Sequence, residues 1–124
     1  MSSRPQFNPY PVIINGDMTT TITSAVTIIQ KLSSVSYSYS WSGTSPIGTV
    51  TVQVSNDYST NADGSVRNSG TWDIVPLSAS TNVSGNSGQG FIDLDGVGAF
   101  AIRTVYTPIS GSGSLSATIN AKVL

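Results

Sequence analysis

The sequence contains no cysteine, no histidine and no glutamate. Without cysteine there can be no disulfide, no thiolate metal site and no thiol nucleophile. The six acidic residues are therefore all aspartates, and they are the only acids available for general acid–base chemistry. These absences remove most ways of activating a nucleophile, so the sequence predicts a protein that is not an enzyme and needs no cofactor. A glycosidase-like pair among Asp57, Asp63, Asp93 and Asp95 is the remaining catalytic alternative.

Charge is also scarce. Only 9% of the residues are charged, and five Lys and Arg residues against six acids give a net charge of -1. No basic surface for nucleic acid is expected from this balance. Because low charge gives little electrostatic protection against association, the composition favours a protein that packs against copies of itself.

Long apolar runs are missing as well. The first residues lack the apolar segment of a signal peptide, and no run approaches the roughly 20 residues of a membrane helix. We therefore expect a soluble protein made in the cytoplasm, with no membrane partner. Its 124 residues suffice for one domain without covalent staples. Pro5 and Pro9 mark residues 1–9 as a flexible N-terminal arm, which leaves residues 10–124 as the single domain.

The clearest pattern is alternation between Val35 and Asn56. Val35, Tyr37, Tyr39 and Trp41 alternate with serines, and three valines alternate with polar residues after residue 48. Alternation of this kind places one face of a strand against a core. The glycines and the proline between residues 42 and 48 predict a turn, so we expect a β-hairpin whose aromatic face belongs to the core.

Other short stretches have the composition of strands. They are Tyr10–Ile14, Thr19–Thr23, Ser24–Leu32, Thr71–Leu77, Phe91–Leu94, Ala99–Thr107 and Leu115–Val123. For Ser24–Leu32, a single helical turn is the alternative to a strand. A tight turn is predicted at residues 15–17, a long loop at residues 56–70 and a flexible connection at residues 110–113. The pattern is typical of an all-β protein, a single antiparallel β-sandwich or jelly roll of about 7–8 short strands with little or no helix.

Three aspartates are weak candidates for a calcium site. Asp63 lies in an Asn-Ala-Asp-Gly sequence, and Asp93 and Asp95 lie in an Asp-Leu-Asp-Gly sequence, both similar to the start of a calcium loop. Neither is followed by the glutamate that such a loop uses as a bidentate ligand. The sequence therefore predicts no metal, and hydrogen-bonded turns are the favoured interpretation.

Tyr58, Trp72 and Arg103 are the candidate contact or ligand residues. Arg103 is the one charge in an otherwise apolar strand, and a buried charge needs a partner. Asp73 or Asp93 is the expected partner, either within the chain or across a subunit interface, and the alternative is that Arg103 lies on a solvated face. Aromatic side chains also suit a carbohydrate platform, for which Trp41, Trp72 and Tyr58 are the candidates.

The order of several motifs resembles a group of small tailed-phage virion proteins. It runs through Trp41–Val50, Val52–Asp57, Thr71–Asp73, Arg103–Thr107 and Ser110–Leu115. The similarity covers roughly residues 35–124, although the loop at residues 58–69 is longer than the pattern requires. The Ser-Asn-Asp, Trp and Arg-x-Val order also looks like part of the discoidin-type jelly roll, whose members bind sugars or lipid head groups through end loops.

The phage resemblance implies a virion structural protein without catalytic activity. We expect a multi-copy capsid decoration or cement protein that forms homo-oligomers and contacts the major capsid protein or neighbouring shell subunits. Exposed strand edges, the N-terminal arm and the loop at residues 56–70 are the expected contacts. The alternative is a carbohydrate-binding, receptor-binding module of a phage spike or tail.

Overall fold

The computed structural model describes residues 6–29, 32, 34–77 and 82–122. These residues form only strands, turns and irregular segments, and no helix among them could cross a membrane. The strands are β1 (Gln6–Asp17), β2 (Ile22–Thr23), β3 (Thr27–Ile28), β4 (Ser34–Ser55), β5 (Ser59–Thr60), β6 (Val66–Asn68), β7 (Asp73–Ile74), β8 (Asn82–Val83), β9 (Ser87–Asp95) and β10 (Ala101–Lys122). The predicted all-β, antiparallel, sandwich-like class is confirmed.

Two strands of 22 residues, β4 and β10, form the centre of the fold and pair antiparallel from end to end, with one interruption at residues 45–46. In one part of the molecule, which we call the first half, residues 34–42 of β4 also pair with β9, and residues 114–122 of β10 pair with β1. In the other part, the second half, β4 pairs with β7 and β8 while β10 pairs with β2 and β3. Each half is thus a small sheet, and the two share both central strands.

The hairpin predicted within residues 35–56 is wrong. The stretch is one continuous strand, and its two halves pair with the two halves of β10 instead of with each other. The flexible connection predicted at residues 110–113 is likewise part of β10. The expected seven or eight short strands are therefore replaced by two long strands and several shorter ones.

The predicted turn residues produce a bend instead of a reversal. Ser45 and Pro46 have no partner in the β4–β10 register, and the register shifts on both sides of Ser110. Ser45 and Gly111 have positive φ angles of 48° and 80°. The Asn86 side-chain oxygen accepts hydrogen bonds from the Ser45 backbone N–H at 2.8 Å and from its hydroxyl at 3.3 Å. Irregularities of this kind bend paired strands sharply.

One core lies between the two halves. The first half contributes Tyr37 and Ile119, and the second contributes Val52, Ile102 and Tyr106, all with at most 1% of their surface exposed. The alternating residues of the last strand segment are buried as predicted, from Leu115 to Ala121. Burial also raises the pKa of the Tyr37 hydroxyl, which has no hydrogen-bond partner among the described residues.

Several predicted boundaries differ from the structure at the N-terminal end. Residues 6–9, expected in a flexible arm, begin β1, and residues 1–5 lie outside the described part. The tight turn falls at residues 17–20 instead of 15–17, where the Thr20 N–H donates to the Asp17 carbonyl at 3.2 Å. Within the strand expected over residues 24–32, the described residues form a strand at Thr27–Ile28, and residues 30–31 lie outside the described part. Strands β2 and β3 are both short, and each pairs with two residues of β10 between Ala101 and Tyr106.

The predicted loop at residues 56–70 contains a small hairpin. Strands β5 and β6 pair antiparallel and form a separate two-stranded sheet. Asp63 closes its turn, because its Oδ1 accepts hydrogen bonds from the Ser65 N–H and hydroxyl at 3.0 Å and 2.6 Å. Beyond the hairpin, the strand expected over residues 71–77 is reduced to Asp73–Ile74.

Candidate functional site

Tyr58, Trp72 and Arg103 lie together on the outer face of the second half, and we call them the Trp72 cluster. The ring centres of Tyr58 and Trp72 are 5.9 Å apart, with their planes tilted by 55°. The guanidinium carbon of Arg103 lies 4.1 Å from the centre of the Trp72 ring, within the range of a cation–π contact. The three residues predicted as contacts thus form one site, although 45 positions separate the first from the last in the chain.

The alternation of β10 places Arg103 outside the core. Its neighbours Ile102 and Thr104 are buried, so its side chain points to the opposite face of the sheet. Gln53 lies directly opposite Arg103 on β4. The Arg103 Nε donates a hydrogen bond to the Gln53 Oε1 at 2.8 Å. The cross-strand register therefore fixes one edge of the guanidinium group.

The loop that carries the aromatic rings is fastened at both ends. The Trp72 indole N–H donates to the Ser69 carbonyl at 2.8 Å. The Asp57 Oδ1 accepts hydrogen bonds from the Thr71 N–H at 2.7 Å and from the Ser55 hydroxyl at 2.8 Å. These hydrogen bonds, first the one from Thr71, lower the pKa of Asp57. The carboxylate holds the two rings beside Arg103 by joining the ends of the segment.

The predicted aspartate partner of Arg103 is wrong within the chain. Asp73 lies opposite Val54 on β4, and Asp93 lies opposite Ser36 in the other half. Within the described residues, Gln53 and Trp72 are the groups that contact the guanidinium. Partial burial lowers the pKa of Arg103 from its ordinary value, but a guanidinium stays charged at neutral pH. Arg103 is therefore a half-buried cation with neutral partners.

Sequence reasoning missed Gln53 as the partner of Arg103. Its position in an alternating strand predicted only that it faces away from the three valines. The pairing of residues 53 and 103 follows from the long-range register of β4 and β10, for which the sequence carries no local signal. The role of Asn86 at the bend of β4 was missed for the same reason.

The segments beside the Trp72 cluster also line a small open depression of about 260 Å³. Its lining residues are Val54, Ser55, Asn56, Asp57, Thr71, Asp73 and Ala99. Hydroxyl, amide and carboxylate groups converge there. Such groups can hydrogen-bond a polar ligand.

The calcium candidates do not come together. Asp63 closes the β5–β6 turn, whereas Asp93 and Asp95 belong to β9 in the first half. Asp95 accepts a hydrogen bond from the Ser34 hydroxyl at 3.1 Å. Within the described ranges, no three His, Cys, Asp or Glu side chains lie close enough to hold a metal ion. All three aspartates thus occupy positions at a turn or along a strand.

Trp41 lies in the first half, away from Trp72. Its ring stacks on Tyr39, with centroids 6.0 Å apart and planes at 21°, and its indole N–H donates to the Gly85 carbonyl at 3.2 Å. Gly88 and Gly90 of β9 lie directly opposite Trp41 and Tyr39 and leave room for these rings. The ring of Tyr39 is buried and Trp41 is half-buried. Tyr39 therefore belongs to the predicted core face, and Trp41 packs at its margin.

A broader depression of about 660 Å³ lies on the outer face of the first half. It is lined by Ser38, Tyr39, Ser40, Gln89, Gly90, Phe91, Ser116 and Thr118. Short hydroxyl side chains dominate this surface, and it contains no carboxylate or cation. It offers hydrogen bonding without a group that would transfer a proton at neutral pH.

The Trp72 cluster combines a guanidinium group with two aromatic rings, which are groups suited to binding. A fork of guanidinium N–H groups beside two aromatic rings can recognise a carboxylate or another planar polar group.

Comparisons of the chain with protein-family models, with curated proteins and with solved structures found no match.

Proposed function

We propose that the protein is a non-enzymatic structural component of a phage virion, present in many copies and acting through protein–protein contacts. Within that class, a capsid decoration or cement protein is the preferred assignment. The observation that carries the proposal is the Trp72 cluster, in which Tyr58, Trp72 and Arg103 converge on one outer face. The resemblance of residues 35–124 to small phage proteins is the reason for assigning the protein to a virion.

Residue type and environment favour a protein partner. Tyr, Trp and Arg are the side chains that most often dominate the binding energy of protein interfaces. Arg103 is partly desolvated and has only Gln53 and Trp72 as partners among the described residues. An acidic side chain on the major capsid protein or a neighbouring shell subunit would complete its hydrogen bonding. The proposal implies that the protein is made in the host cytoplasm and is located in the virion.

Binding to particles that lack the protein tests this proposal. Arg103→Gln and Trp72→Ala are each expected to weaken binding by about 30-fold, as for truncation of an interface hot spot. Arg67→Gln is the matched control, because Arg67 is exposed on β6 and its Nε bonds only to the Ser59 hydroxyl at 3.3 Å. Circular dichroism verifies that each variant is folded.

Two outcomes would contradict the proposal. One is equal binding by the Arg103→Gln and Arg67→Gln variants, which would remove the Trp72 cluster from the contact. The other is the absence of the protein from purified particles. Mass-spectrometric copy number then refines the assignment, since hundreds of copies indicate a shell protein and a handful indicate a tail or spike.

The second candidate function is a carbohydrate-binding module of a spike or tail. It is favoured by the polar depression that residues 54–57, Thr71 and Asp73 line in the segments that carry Tyr58 and Trp72. Glycan-array binding that disappears in Trp72→Ala and persists in Trp41→Phe, with both variants folded, would place this function above the first. Failure of the wild-type chain to bind any glycan would remove it.

A further inference from the structure

Strand β9 is a free edge of the sheet in the first half. It pairs with β4 over nine consecutive residues without a register shift. No described strand pairs with its other side. An edge of this kind presents a row of backbone N–H and C=O groups that can pair with another strand.

The opposite edge of the same half is protected in a way that β9 is not. Strand β1 contains Pro9 and Pro11, and its pairing with β10 shifts register three times. Proline removes a backbone donor, and bulges twist an edge away from a second strand. Strand β9 contains neither proline nor lysine and is regular throughout. The two edges therefore differ in their capacity to accept a further strand.

We propose that β9 pairs antiparallel with β9 of a second copy of this chain, about a two-fold axis at Phe91. Phe91 is the central residue of β9 and 64% of its surface is exposed. In this register each Phe91 lies opposite the other, Gln89 lies opposite Asp93, and Ser87 lies opposite Asp95. The pairing joins the four-stranded first half of one chain to the first half of the other in one continuous sheet.

The outward-facing side chains of β9 complement themselves in this register. The amide of Gln89 and the hydroxyl of Ser87 face carboxylates, which accept hydrogen bonds from them. The two Phe91 rings bury apolar surface at the centre, and cross-strand aromatic pairs stabilise antiparallel sheets. On the inner face, Gly90 lies opposite Ile92, so a small residue faces a large one.

Neighbouring registers are less favourable, because a two-fold axis at Gly90 or at Ile92 would place Phe91 opposite Gln89 or Asp93 in place of the second Phe91 ring. A two-fold axis at Asp93 would place the two Asp93 carboxylates directly opposite each other, and like charges in that position are destabilising. An axis at Gln89 would pair only residues 87–91 within the strand and would leave Phe91 opposite Ser87. The self-complementary register is therefore the one centred on Phe91.

This inference goes beyond the proposed function. It concerns the isolated chain, and it uses neither Trp72 nor Arg103. Loss of self-pairing would leave particle binding by the Trp72 cluster untouched, and loss of particle binding would leave self-pairing untouched. The two ideas can therefore fail separately.

Disulfide trapping tests both the pairing and its register, because the chain has no cysteine of its own. Directly opposed residues in an antiparallel pair have Cα atoms about 4.5–5.5 Å apart, within disulfide reach. Phe91→Cys is therefore expected to form covalent dimers on mild oxidation. Gln89→Cys alone should not, since its two copies would be about 13 Å apart along the strands. A mixture of Gln89→Cys and Asp93→Cys chains should cross-link again.

The matched control for this experiment is Ile14→Cys on β1, where the wild-type side chain is 71% exposed. This variant should form no disulfide-linked dimer. Equal cross-linking of the Phe91→Cys, Gln89→Cys and Ile14→Cys variants would overturn the proposal, because it would indicate random collision.

Sedimentation of the full chain gives an independent measurement. The wild-type chain is expected to dimerise reversibly, and Phe91→Lys should raise the dissociation constant by about tenfold or more through opposed like charges. Ile14→Lys should leave it unchanged. A wild-type chain that sediments as a monomer throughout the concentration series would overturn the proposal.

Discussion

Asp57 ties the two ends of the segment from residue 56 to residue 71 together through one carboxylate oxygen. A neutral amide at this position would keep the shape but would lose the charge that strengthens each hydrogen bond. Gly70 completes the closure, since its φ of 84° suits glycine and a β-carbon there would lie 2.7 Å from the Ser55 hydroxyl oxygen. The positions of Tyr58 and Trp72 thus depend on a polar clamp.

We predict that Asp57→Asn lowers the thermal midpoint at neutral pH and flattens its decline in acid. The folded-state pKa of Asp57 lies below its ordinary value of 3.8. The carboxylate therefore stabilises the fold at pH values above 3.8, and this contribution is lost as pH falls through the lowered folded-state value. Thermal unfolding of wild type and variant between about pH 7 and pH 2 measures the effect.

Asp73→Asn is the control for this comparison, because Asp73 is exposed and makes no hydrogen bond to another described side chain. Its midpoint should follow that of wild type across the pH range. If both variants lost stability equally at neutral pH, the clamp formed by Asp57 would not be the cause.

At the scale of elements, β4 and β10 determine the architecture. Each of these strands contributes one segment to the first half and another to the second half. The bend near Ser45 directs the two segments of β4 around a common core. Strand β9 adapts to the large rings of β4 by carrying glycine where Trp41 and Tyr39 lie opposite. A β-carbon at Gly90 would overlap the Tyr39 ring, and one at Gly88 would overlap the Trp41 ring.

We predict that Gly90→Ala destabilises the protein by about 1–3 kcal/mol, the cost of forcing an extra group into a packed site. Gly98→Ala is the control, because a β-carbon there has no neighbour within 4 Å and the backbone angle is not left-handed. Urea unfolding followed by circular dichroism gives both free energies. Equal stability of the two variants would show that the ring of Tyr39 can move aside without cost.

At the scale of the whole molecule, the two halves cannot separate without breaking β4 and β10. Buried residues from both halves form one continuous core cluster, and backbone bonds such as Ala25 N–H to the Val12 carbonyl, at 3.1 Å, add links between the elements around it. A domain with one core and shared central strands is expected to unfold cooperatively.

The two tryptophans allow this cooperativity to be measured, because Trp41 lies in the first half and Trp72 in the second. In the Trp72→Phe variant the fluorescence reports on the first half, and in Trp41→Phe it reports on the second. We predict that, in each variant, the fluorescence midpoint in urea coincides with the midpoint from circular dichroism. A separation of the two midpoints in either variant would show that the halves unfold independently.

The sequence by itself determined the strand class and much of the core. Alternation placed Tyr37 and Ile119 on buried faces, since the side-chain period of a strand is a local property of the chain. Turn chemistry likewise located the irregular backbone near residue 45. The same residue types, however, serve both a reversing turn and a bulge, so composition could not decide between a hairpin and a bent strand.

Only the tertiary structure decided which segments pair and, through that pairing, which side chains form the candidate site. Register between strands distant in the chain depends on the packing of a whole face and not on local residues. The sequence singled out Arg103, but the pairing of residues 53 and 103 gave it Gln53 in place of an aspartate. The hydrogen bond between Asp57 and Thr71 then closes the segment of residues 56–71 and places Tyr58 and Trp72 beside Arg103. No local sequence pattern predicts this contact, because its two ends are far apart in the chain.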